Sequence, residues 1–388
     1  MPLRTHCVVV FLVLIGGPSL HVEAERRRSA AVIILLEIND KPEPPHTGDM
    51  NDNDNNNSPL TIDIDLDADG IHFGNLKVPQ STNSAGWAQY YIPIAVIKNG
   101  DGPTAFLSGG NHGDEYEGQV TLMNLARTID LENVRGRIIV IPMLNKPAAM
   151  AGTRLSPIDG KNMNRAFPGS ADDDITGQIA YYVAHQIIPL ADLVVDIHSG
   201  GSSMHFLPSV NMHELDDEQQ MQTMLEAGKA AGAPYVFLYA DVAGSGLLPS
   251  YAEGLGKVTL GTEMGSKSQF GKDTLSTTSD CIHNLLVWIG VLDEPSITLS
   301  DKPPVVVKGT DIRDYVMAPC SGILEPFVEL GDTVTIGDVI AQIHNPEDIS
   351  APATEIRVET NGMIMCRRSN PLTSQGEVVV TLVREVQE

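Results

Sequence analysis

The stretch from Phe106 to Gly118, FLSGGNHGDEYEG, decides the fold of this chain. An apolar run ends in two glycines, and His112 and Glu115 follow three residues apart, just before a pattern typical of a helix. An apolar run that stops at a Gly-Gly pair predicts a buried strand that ends in a sharp turn. Because the sites of α/β proteins collect at the carboxyl ends of strands, this turn is a candidate functional site.

Short apolar runs alternate with helical patterns between residues 92 and 292. The runs are rich in β-branched residues and read TAFLSG, RIIVIPML, DLVVDIHSG, PYVFLYA and KVTLGTEMG. The helical patterns read YEGQVTLMNLARTI, TGQIAYYVAHQIIPLA, DDEQQMQTMLEAGKAAG and SDCIHNLLVWIGVL. This alternation predicts an α/β fold in which helices cover both faces of a sheet.

Two further predicted strands end in side chains that can bind a metal. His198 ends the run in DIHSGG, and Glu263 ends the run in GTEMG. We expect them to converge with His112 and Glu115, since the carboxyl ends of the strands meet at one edge of the sheet. Two imidazoles and a carboxylate form a ligand set of catalytic zinc, which keeps a fourth position for water. Each residue alone has an ordinary explanation as a packed or solvated side chain, but together they predict a metal site.

The composition of the chain argues against several classes of partner. Among 388 residues, 25 are basic and 50 are acidic, which gives a formal net charge of -25. Such a surface repels nucleic acid and anionic lipid, so we expect no nucleic-acid partner. The apolar run CVVVFLVLIGG near the N-terminus has about ten residues, too few to span a bilayer, so we expect no stable membrane insertion.

Residues 1–59 are predicted to lie outside the fold. The first 24 residues resemble a signal peptide, with VEA as a candidate cleavage site ending at Ala24. The polar tract GDMNDNDNNNSP follows and holds almost nothing to bury, which predicts disorder. The sequence leaves open whether the segment is an export signal or an N-terminal extension unrelated to the fold.

The stretch TIDIDLDADGIHF has two interpretations. Asp65, Asp67, Asp69 and Gly70 match the first half of a calcium-binding loop, but Leu76 stands where a bidentate glutamate is needed. Apolar and acidic residues alternate with a period of two and are followed by an Asp-Gly turn. This pattern favours a strand and a hairpin.

Four motifs occur in the order GGNHGDEYEG, TRLSPIDGKNMNRAFPG, DIHSGG and GTEMG. They resemble the succinylglutamate desuccinylase/aspartoacylase family, which belongs with the zinc carboxypeptidases. The resemblance covers the chain from about Leu60 to the C-terminus. It implies a zinc hydrolase domain with a mixed sheet over residues 60–298 and a small all-β domain over residues 299–388. It also points to the cytoplasm, whereas a true signal peptide over residues 1–24 would mean export to the periplasm or beyond.

The resemblance also implies a role for seven residues, carried over motif by motif. One zinc ion per chain would be bound by three side chains, namely His112, Glu115 and His198. Glu263 matches the glutamate that acts as general base and then as general acid. Asn164 and Arg165 match the pair that binds the α-carboxylate of the substrate, and Arg154 matches an arginine that polarises the scissile carbonyl. The same ligand set also accepts cobalt, manganese or iron.

The substrate implied by the resemblance is a small N-acyl amino acid. The first motif and the C-terminal part are most similar to the branch that deacetylates N(2)-acetyl-L-2,4-diaminobutanoate in ectoine breakdown. The segment SKSQFG departs from the glycine-rich stretch of that branch, and Lys267 and Gln269 could reshape the pocket. Alternatives that stay open are an N-acylaspartate or N-succinylglutamate hydrolase, an exported zinc carboxypeptidase, and a scaffold protein with structural zinc. Glu263 favours catalysis over a scaffold, since a structural site does not need this carboxylate.

The last ninety residues contain short strand patterns with Gly-Asp turns in two similar halves. They resemble the barrel-sandwich of biotinyl and lipoyl domains. The hairpin between the halves, IHNPEDISAP, contains no lysine, so we expect no covalently attached cofactor. The region either narrows access to the zinc site, which would select small substrates over peptides, or serves as a structural or oligomerising module.

Several other residues receive no role. The histidines interpreted as packed or solvated side chains are His185, His205, His213 and His283. Tyr116 and Glu117 lie next to the predicted ligands but carry no prediction. Loss of Cys7 with a signal peptide would leave an odd number of cysteines, which argues against a disulfide framework, although a single Cys320–Cys366 bridge stays open.

Overall fold

The computed structural model of the protein describes residues 58–240, 244–265 and 271–387. The signal-like segment, the polar tract up to residue 57, Lys267 and Gln269 lie outside these residues. No helix in the described part of the chain is both long and apolar enough to cross a membrane.

The strands are short except for one long hairpin. They are β1 Thr61–Ile62, β2 Gly70–Thr82, β3 Ala85–Asn99, β4 Thr104–Gly109, β5 Gly136–Ile141, β6 Leu193–His198, β7 Met204–Phe206, β8 Ser209–His213, β9 Tyr235–Tyr239, β10 Val258–Glu263, β11 Val305–Gly309, β12 Tyr315–Met317, β13 Gly322–Pro326, β14 Thr333–Val334, β15 Val339–His344, β16 Thr354–Arg357, β17 Gly362–Arg368, β18 Leu372–Thr373 and β19 Val378–Glu385.

The α-helices follow the strands of the first three hundred residues. They are α1 Tyr116–Thr128, α2 Lys146–Ala151, α3 Ile175–Tyr182, α4 Glu218–Ala231, α5 Leu248–Gly254 and α6 Lys272–Trp288. Three single 3-10 turns span Leu131–Asn133, Met163–Arg165 and Ile312–Asp314. The predicted helix TGQIAYYVAHQIIPLA is divided, because α3 continues as a π turn over Val183–Ile187 and a 3-10 turn over Ile188–Leu190.

A 15-stranded mixed sheet organises the described chain, in the order β1-β2-β3-β5-β4-β6-β10-β8-β9-β11-β19-β17-β14, with β12 beside β19 and β7 beside β17. At its centre, the four adjacent strands β5, β4, β6 and β10 run parallel to one another. The strands β4 and β6 are buried along their whole length, which explains why their sequences are largely apolar on both faces. The predicted mixed α/β fold is therefore confirmed.

Alternating side chains of the central strands pack into two hydrophobic cores, one on each face of the sheet. Leu107 belongs to one core with Leu122 of α1 and Leu285 of α6. Its neighbour Phe106 belongs to the other core with Ile179 of α3. Because successive side chains of a strand point to opposite faces, this division places helices on both faces, as predicted.

The stretch TIDIDLDADGIHF contributes to two paired strands, β1 and β2, but β1 is shorter than the alternation of apolar and acidic residues predicts. Only Thr61–Ile62 is extended, and it pairs antiparallel with β2. Asp67 forms an ion pair with Arg137 at 2.7 Å, and Asp69 forms one with Lys98 at 2.9 Å. These basic partners neutralise the carboxylates, which agrees with the hairpin interpretation.

The C-terminal region is antiparallel β structure, as predicted. The strands β13, β15, β16 and β18 form a separate four-stranded sheet, while β11 extends the large sheet by pairing parallel with β9. A core of apolar side chains, including Ile340, Ile364 and Leu382, lies between them. Cys320 and Cys366 are free thiols, so the open possibility of a disulfide between them is not realised.

Candidate metal centre and substrate cavity

The three predicted metal ligands meet at the carboxyl ends of neighbouring strands. His112 lies on the turn after β4, Glu115 precedes α1, and His198 is the last residue of β6. One candidate ligand atom from each lies within 4.8 Å of the other two. Glu115 bridges the imidazoles, with Oε1 at 2.8 Å from Nδ1 of His112 and Oε2 at 2.7 Å from Nδ1 of His198. All three side chains are buried, as a dry metal centre requires.

Glycines shape the turn that carries His112. Gly110 adopts a φ of 63°, a left-handed conformation that glycine tolerates best. A Cβ atom on Gly113 would lie 2.0 Å from the backbone of Ala148, so only glycine lets the turn approach α2 so closely. The Gly-Gly signal of the sequence thus fixes where His112 leaves the sheet.

Each imidazole is oriented by an oxygen atom on its far side. Nε2 of His198 lies 2.8 Å from Oδ2 of Asp196, and Nε2 of His112 lies 3.1 Å from Oδ1 of Asn162. Asp196 is itself fixed by the hydroxyl of Ser108 at 2.7 Å and the amide of Asn111 at 2.8 Å. A ligating histidine that donates its other N–H to a carboxylate or carbonyl is the usual arrangement of protein metal sites.

This arrangement fits a cation between the three side chains. If each Nε2 donates to its oxygen partner, both Nδ1 atoms present lone pairs to Glu115, which is also an acceptor. Three converging acceptors repel each other unless a cation lies among them. The guanidinium of Arg154 already lies close, with Nη1 at 3.1 Å from Nδ1 of His112 and 3.4 Å from Oε1 of Glu115. The donor set therefore fits the metal ion that the sequence predicts.

The charges of the cluster depend on one another. Burial disfavours ionisation of Glu115, but the imidazoles of His112 and His198 outweigh it and hold the pKa of this carboxyl below its usual range. Burial lowers the pKa of His112. Burial also opposes the charge on His198, but Asp196 and Glu115 prevail and raise its pKa well above the ordinary value. The cluster is thus built around negative charge that attracts a cation.

Glu263 lies beside the cluster at the end of β10. Its Cα pairs with that of His198 in the parallel register of β10 and β6. Its Oε2 is buried and has no hydrogen-bond partner within the described residues. Burial, and then the carboxylate of Glu115, raise the pKa of Glu263 to about 8. A carboxyl group without a fixed partner, close to a cation site, is suited to exchange protons.

The other three predicted site residues lie on the loops facing these strand ends. Arg154 follows α2, and its side chain is 44% exposed. Asn164 and Arg165 lie in the 3-10 turn Met163–Arg165, where Oδ1 of Asn164 accepts a hydrogen bond from the backbone N–H of Leu248 at 3.0 Å. This bond directs the Asn164 side chain towards the first residue of α5.

One cavity of about 630 Å³ collects all of these side chains. On one side it is lined by the group that we call the metal wall, consisting of His112, Glu115, His198 and Glu263. The C-terminal strands contribute a second group, the C-terminal wall, consisting of Tyr315, Arg368, Glu377, Val378 and Thr381. All seven residues selected from the sequence line this cavity, together with residues that the sequence did not single out.

The residues that were given no role have structural partners. His213 is buried against Glu253, with Nδ1 and Oε2 2.7 Å apart. Nδ1 of His185 donates a hydrogen bond to the backbone carbonyl of Tyr181 at 2.9 Å. Glu117 is buried and accepts a hydrogen bond from the hydroxyl of Thr274 at 3.3 Å. Within the described residues, none of the four histidines without a role lines the cavity.

Sequence reasoning missed Asp196 and the C-terminal wall. Asp196 could have been found, because residues two apart on a strand share a face, and it precedes His198 by two in DIHSGG. Arg368 and Glu377 had no comparable signal, since neither lies in a motif with a recognisable spacing.

Comparisons with known proteins agree with this geometry. Residues 101–289 match the succinylglutamate desuccinylase/aspartoacylase catalytic domain. The N-alpha-acetyl-L-2,4-diaminobutyric acid deacetylase of Halomonas elongata is 38% identical over 319 residues, which are 82% of this chain and 93% of that protein.

Solved structures also match this chain. The product-bound ectoine utilization protein EutE (DoeB) from Ruegeria pomeroyi matches with a TM-score of 0.81 and 36% identity, covering 84% of this chain and 98% of that chain. A succinylglutamate desuccinylase/aspartoacylase from Rhodobacter sphaeroides matches with a TM-score of 0.81 and 35% identity, covering 85% of this chain and 100% of that chain. The predicted resemblance and the predicted amide hydrolase are both confirmed. The chain belongs to the succinylglutamate desuccinylase/aspartoacylase family.

Proposed function

We propose that the protein is a zinc-dependent deacetylase that converts N(2)-acetyl-L-2,4-diaminobutanoate and water into acetate and L-2,4-diaminobutanoate. The observation that carries the proposal is the meeting of the His112–Glu115–His198 cluster with Glu263 and Arg165 in one cavity. The 38% identical deacetylase of Halomonas elongata supports the choice of substrate.

His112, Glu115 and His198 would hold one zinc ion per chain. When bound, zinc makes water more acidic and polarises a carbonyl oxygen, which is the chemistry that amide hydrolysis needs. Asp196 and Asn162 keep both imidazoles in the tautomer that leaves Nδ1 free to ligate. The ligand set does not exclude cobalt, manganese or iron, so metal analysis of the purified protein is part of the test.

Glu263 would move the proton. Its unpartnered Oε2 accepts a proton from the attacking water, and the same carboxyl then donates that proton to the departing amine nitrogen. The amine leaves as a neutral group, which removes the main barrier to breaking the amide bond. Burial favours this cycle, because it raises the pKa of Glu263 towards the working range of a general acid and base.

Two arginines would orient the substrate. Arg165 binds the α-carboxylate with its planar guanidinium, and the amide of Asn164 adds a donor beside it. Arg154 would donate to the oxygen of the scissile carbonyl as negative charge develops there. Its position beside Glu115 and His112 brings this donor to the metal wall.

The C-terminal wall would restrict the size of the substrate. It lines the same cavity as the metal wall, so the bound molecule must fit between strand ends and C-terminal strands. A small N-acyl amino acid fits this arrangement better than a peptide.

An N-acylaspartate hydrolase is the second candidate, because the basic residue Arg368 also lines the cavity. Acetate release from N(2)-acetyl-L-2,4-diaminobutanoate and from N-acetyl-L-aspartate, measured with zinc-loaded protein, separates the two. We expect a preference of at least about tenfold for the diaminobutanoate, equivalent to about 1.4 kcal/mol of transition-state discrimination. A preference for the aspartate would replace the first candidate by the second, and turnover of neither substrate would contradict both.

A further inference from the structure

Three carboxylates belong to the described lining of the cavity, namely those of Glu115, Glu263 and Glu377. Glu115 belongs to the metal cluster, and Glu263 is assigned to proton transfer. Glu377, which directly precedes β19, therefore remains as a negative charge that the proposed reaction does not use.

The Glu377 carboxylate is held firmly through one of its two oxygens. Oε2 accepts hydrogen bonds from the backbone N–H of Ser374 at 2.7 Å and from the hydroxyl of Thr373 at 3.1 Å. Nη2 of Arg368 lies 2.7 Å from the same oxygen. Among the described residues no donor contacts Oε1, and the side chain is 41% exposed. The carboxylate is thus fixed in position and still has an oxygen available to a ligand.

The backbone around Glu377 is also fixed. Its carbonyl accepts a hydrogen bond from the N–H of Ala318 at 2.8 Å, and its own N–H donates to the carbonyl of Ser374 at 3.2 Å. A binding group on a preorganised turn loses little conformational entropy when a ligand arrives.

Arg368 is the less accessible partner of the pair. Its side chain is 10% exposed, and Nε and Nη2 donate to the backbone carbonyls of Asn370 at 3.0 Å and Leu372 at 2.9 Å. Its charge is directed mainly at the C-terminal backbone and at Glu377. The pair therefore presents its carboxylate, rather than its guanidinium, to a ligand.

We propose that Glu377 binds the side-chain ammonium group of the substrate, with Arg368 as the residue that positions the carboxylate. This inference rests on the proposed function and names the residue that selects a cationic side chain within it. An ammonium on a two-carbon side chain would donate to Oε1 in a partly desolvated site, where a charge-assisted hydrogen bond is strong. An anionic side chain would meet the Glu377 carboxylate and be repelled.

The test compares two substrates of equal length. N(2)-acetyl-L-2,4-diaminobutanoate ends in an ammonium group, and N-acetyl-L-norvaline ends in a methyl group at the same position. We expect Glu377→Gln to lower the ratio of their kcat/KM values by at least about tenfold, since a lost hydrogen bond to a charged group costs that much or more. The loss should appear mainly in KM for the diaminobutanoate.

Glu329→Gln is the matched control. Glu329 pairs with Arg367, the neighbour of Arg368 on β17, at 3.0 Å, but it lies outside the cavity lining. The control variant should keep the wild-type ratio of the two substrates. Glu377→Asp keeps the charge and should retain more of the preference than Glu377→Gln.

Calorimetric titration with the product L-2,4-diaminobutanoate gives a readout that does not depend on turnover. We expect Glu377→Gln to weaken its binding by about tenfold relative to the binding of L-norvaline. If Glu377→Gln lowers kcat/KM equally for both substrates, the ratio of the two values stays unchanged. That result would indicate a structural role for Glu377 and would overturn the inference. Wild-type protein that turns over neither substrate would overturn the proposed function and this inference together, whereas a wild-type preference that Glu377→Gln leaves intact overturns the inference alone.

Discussion

The metal wall and the C-terminal wall of the cavity hold their charged groups in different ways. In the metal wall, Glu115 is buried and contacts the imidazoles of His112 and His198, and the buried Asp196 contacts His198 from its other side. In the C-terminal wall, Glu377 stands on a turn, is partly exposed and is paired with one arginine. The difference teaches that the groups needed for any amide hydrolysis lie at the ends of the central strands, whereas the group proposed to select the substrate lies on a turn of the C-terminal region.

The largest expected effect comes from the metal wall. Glu263→Gln should lower kcat by about a thousandfold, because the amide cannot accept the proton of the attacking water. Zinc content by elemental analysis should equal that of the wild type, since Glu263 is not among the three ligands. A variant that also loses its zinc would contradict the separation of the ligands from the base.

Breaking an ion pair behind the C-terminal wall should reduce stability without touching the metal. Asp314 is fully buried next to Tyr315 and binds Arg384, with distances of 2.8 and 2.6 Å from its two oxygens to the guanidinium. Asp314→Ala should lower the free energy of unfolding by about 3 kcal/mol, because it removes two charge-assisted hydrogen bonds to Arg384 and the acceptor for the backbone N–H of Asp311.

Urea unfolding of zinc-loaded protein measures the effect of Asp314→Ala, and zinc content should stay at the wild-type level. Glu355→Ala serves as the control, because Glu355 and its partner Arg357 are both about half exposed. An equal loss of stability in both variants would contradict the distinction between buried and exposed pairs.

A smaller effect should follow from loosening the support of His198. Asp196→Asn removes the charge that orients Nε2, and we expect zinc affinity to fall about 10- to 100-fold. Competition with a chelator measures the affinity. Asp192→Asn is the control, because Asp192 directly precedes β6 and accepts a hydrogen bond from the backbone N–H of Thr104, far from the ligands along the strand. This variant should leave the zinc affinity unchanged.

The smallest predicted change concerns the α-carboxylate. Arg165→Lys keeps the charge but loses the planar pair of donors, so KM should rise about tenfold while kcat changes little. Arg127→Lys, on the exposed surface of α1, provides the control. Steady-state kinetics with N(2)-acetyl-L-2,4-diaminobutanoate decide the matter, and a fall in kcat alone would contradict a purely binding role.

The metal wall could be predicted from the sequence because most of its residues lie where an apolar strand pattern ends. His112, His198 and Glu263 each follow a largely apolar, β-branched run at a glycine-containing turn, so the sequence shows both where the strand ends and which side chain stands there. The buried interior of β4 and β6 produced those runs. Local sequence patterns were sufficient to predict these strands, because a strand that is buried on both faces is restricted largely to apolar residues.

Other features depend on contacts that no local pattern shows. The strand β8, SVNMH, is fully buried between two strands, antiparallel to β10 and parallel to β9. Its polar residues give the sequence neither a period-two alternation nor an apolar run, so no strand was predicted there. The helix α6 begins at Lys272, seven residues before the pattern suggested, because its first turns carry threonine and serine. Glu377 acquires its place in the cavity only when β19 pairs with β11 and β17.

The parallel pairing of β11 with β9 has a consequence for engineering. Backbone hydrogen bonds, and not side chains alone, join the C-terminal strands to the large sheet. Deleting residues 299–388 to widen the cavity would leave the N–H and C=O groups along one side of β9 unpaired, and such an exposed sheet edge promotes aggregation. A broader substrate range is therefore better sought by exchanging side chains such as Glu377 than by truncating the chain.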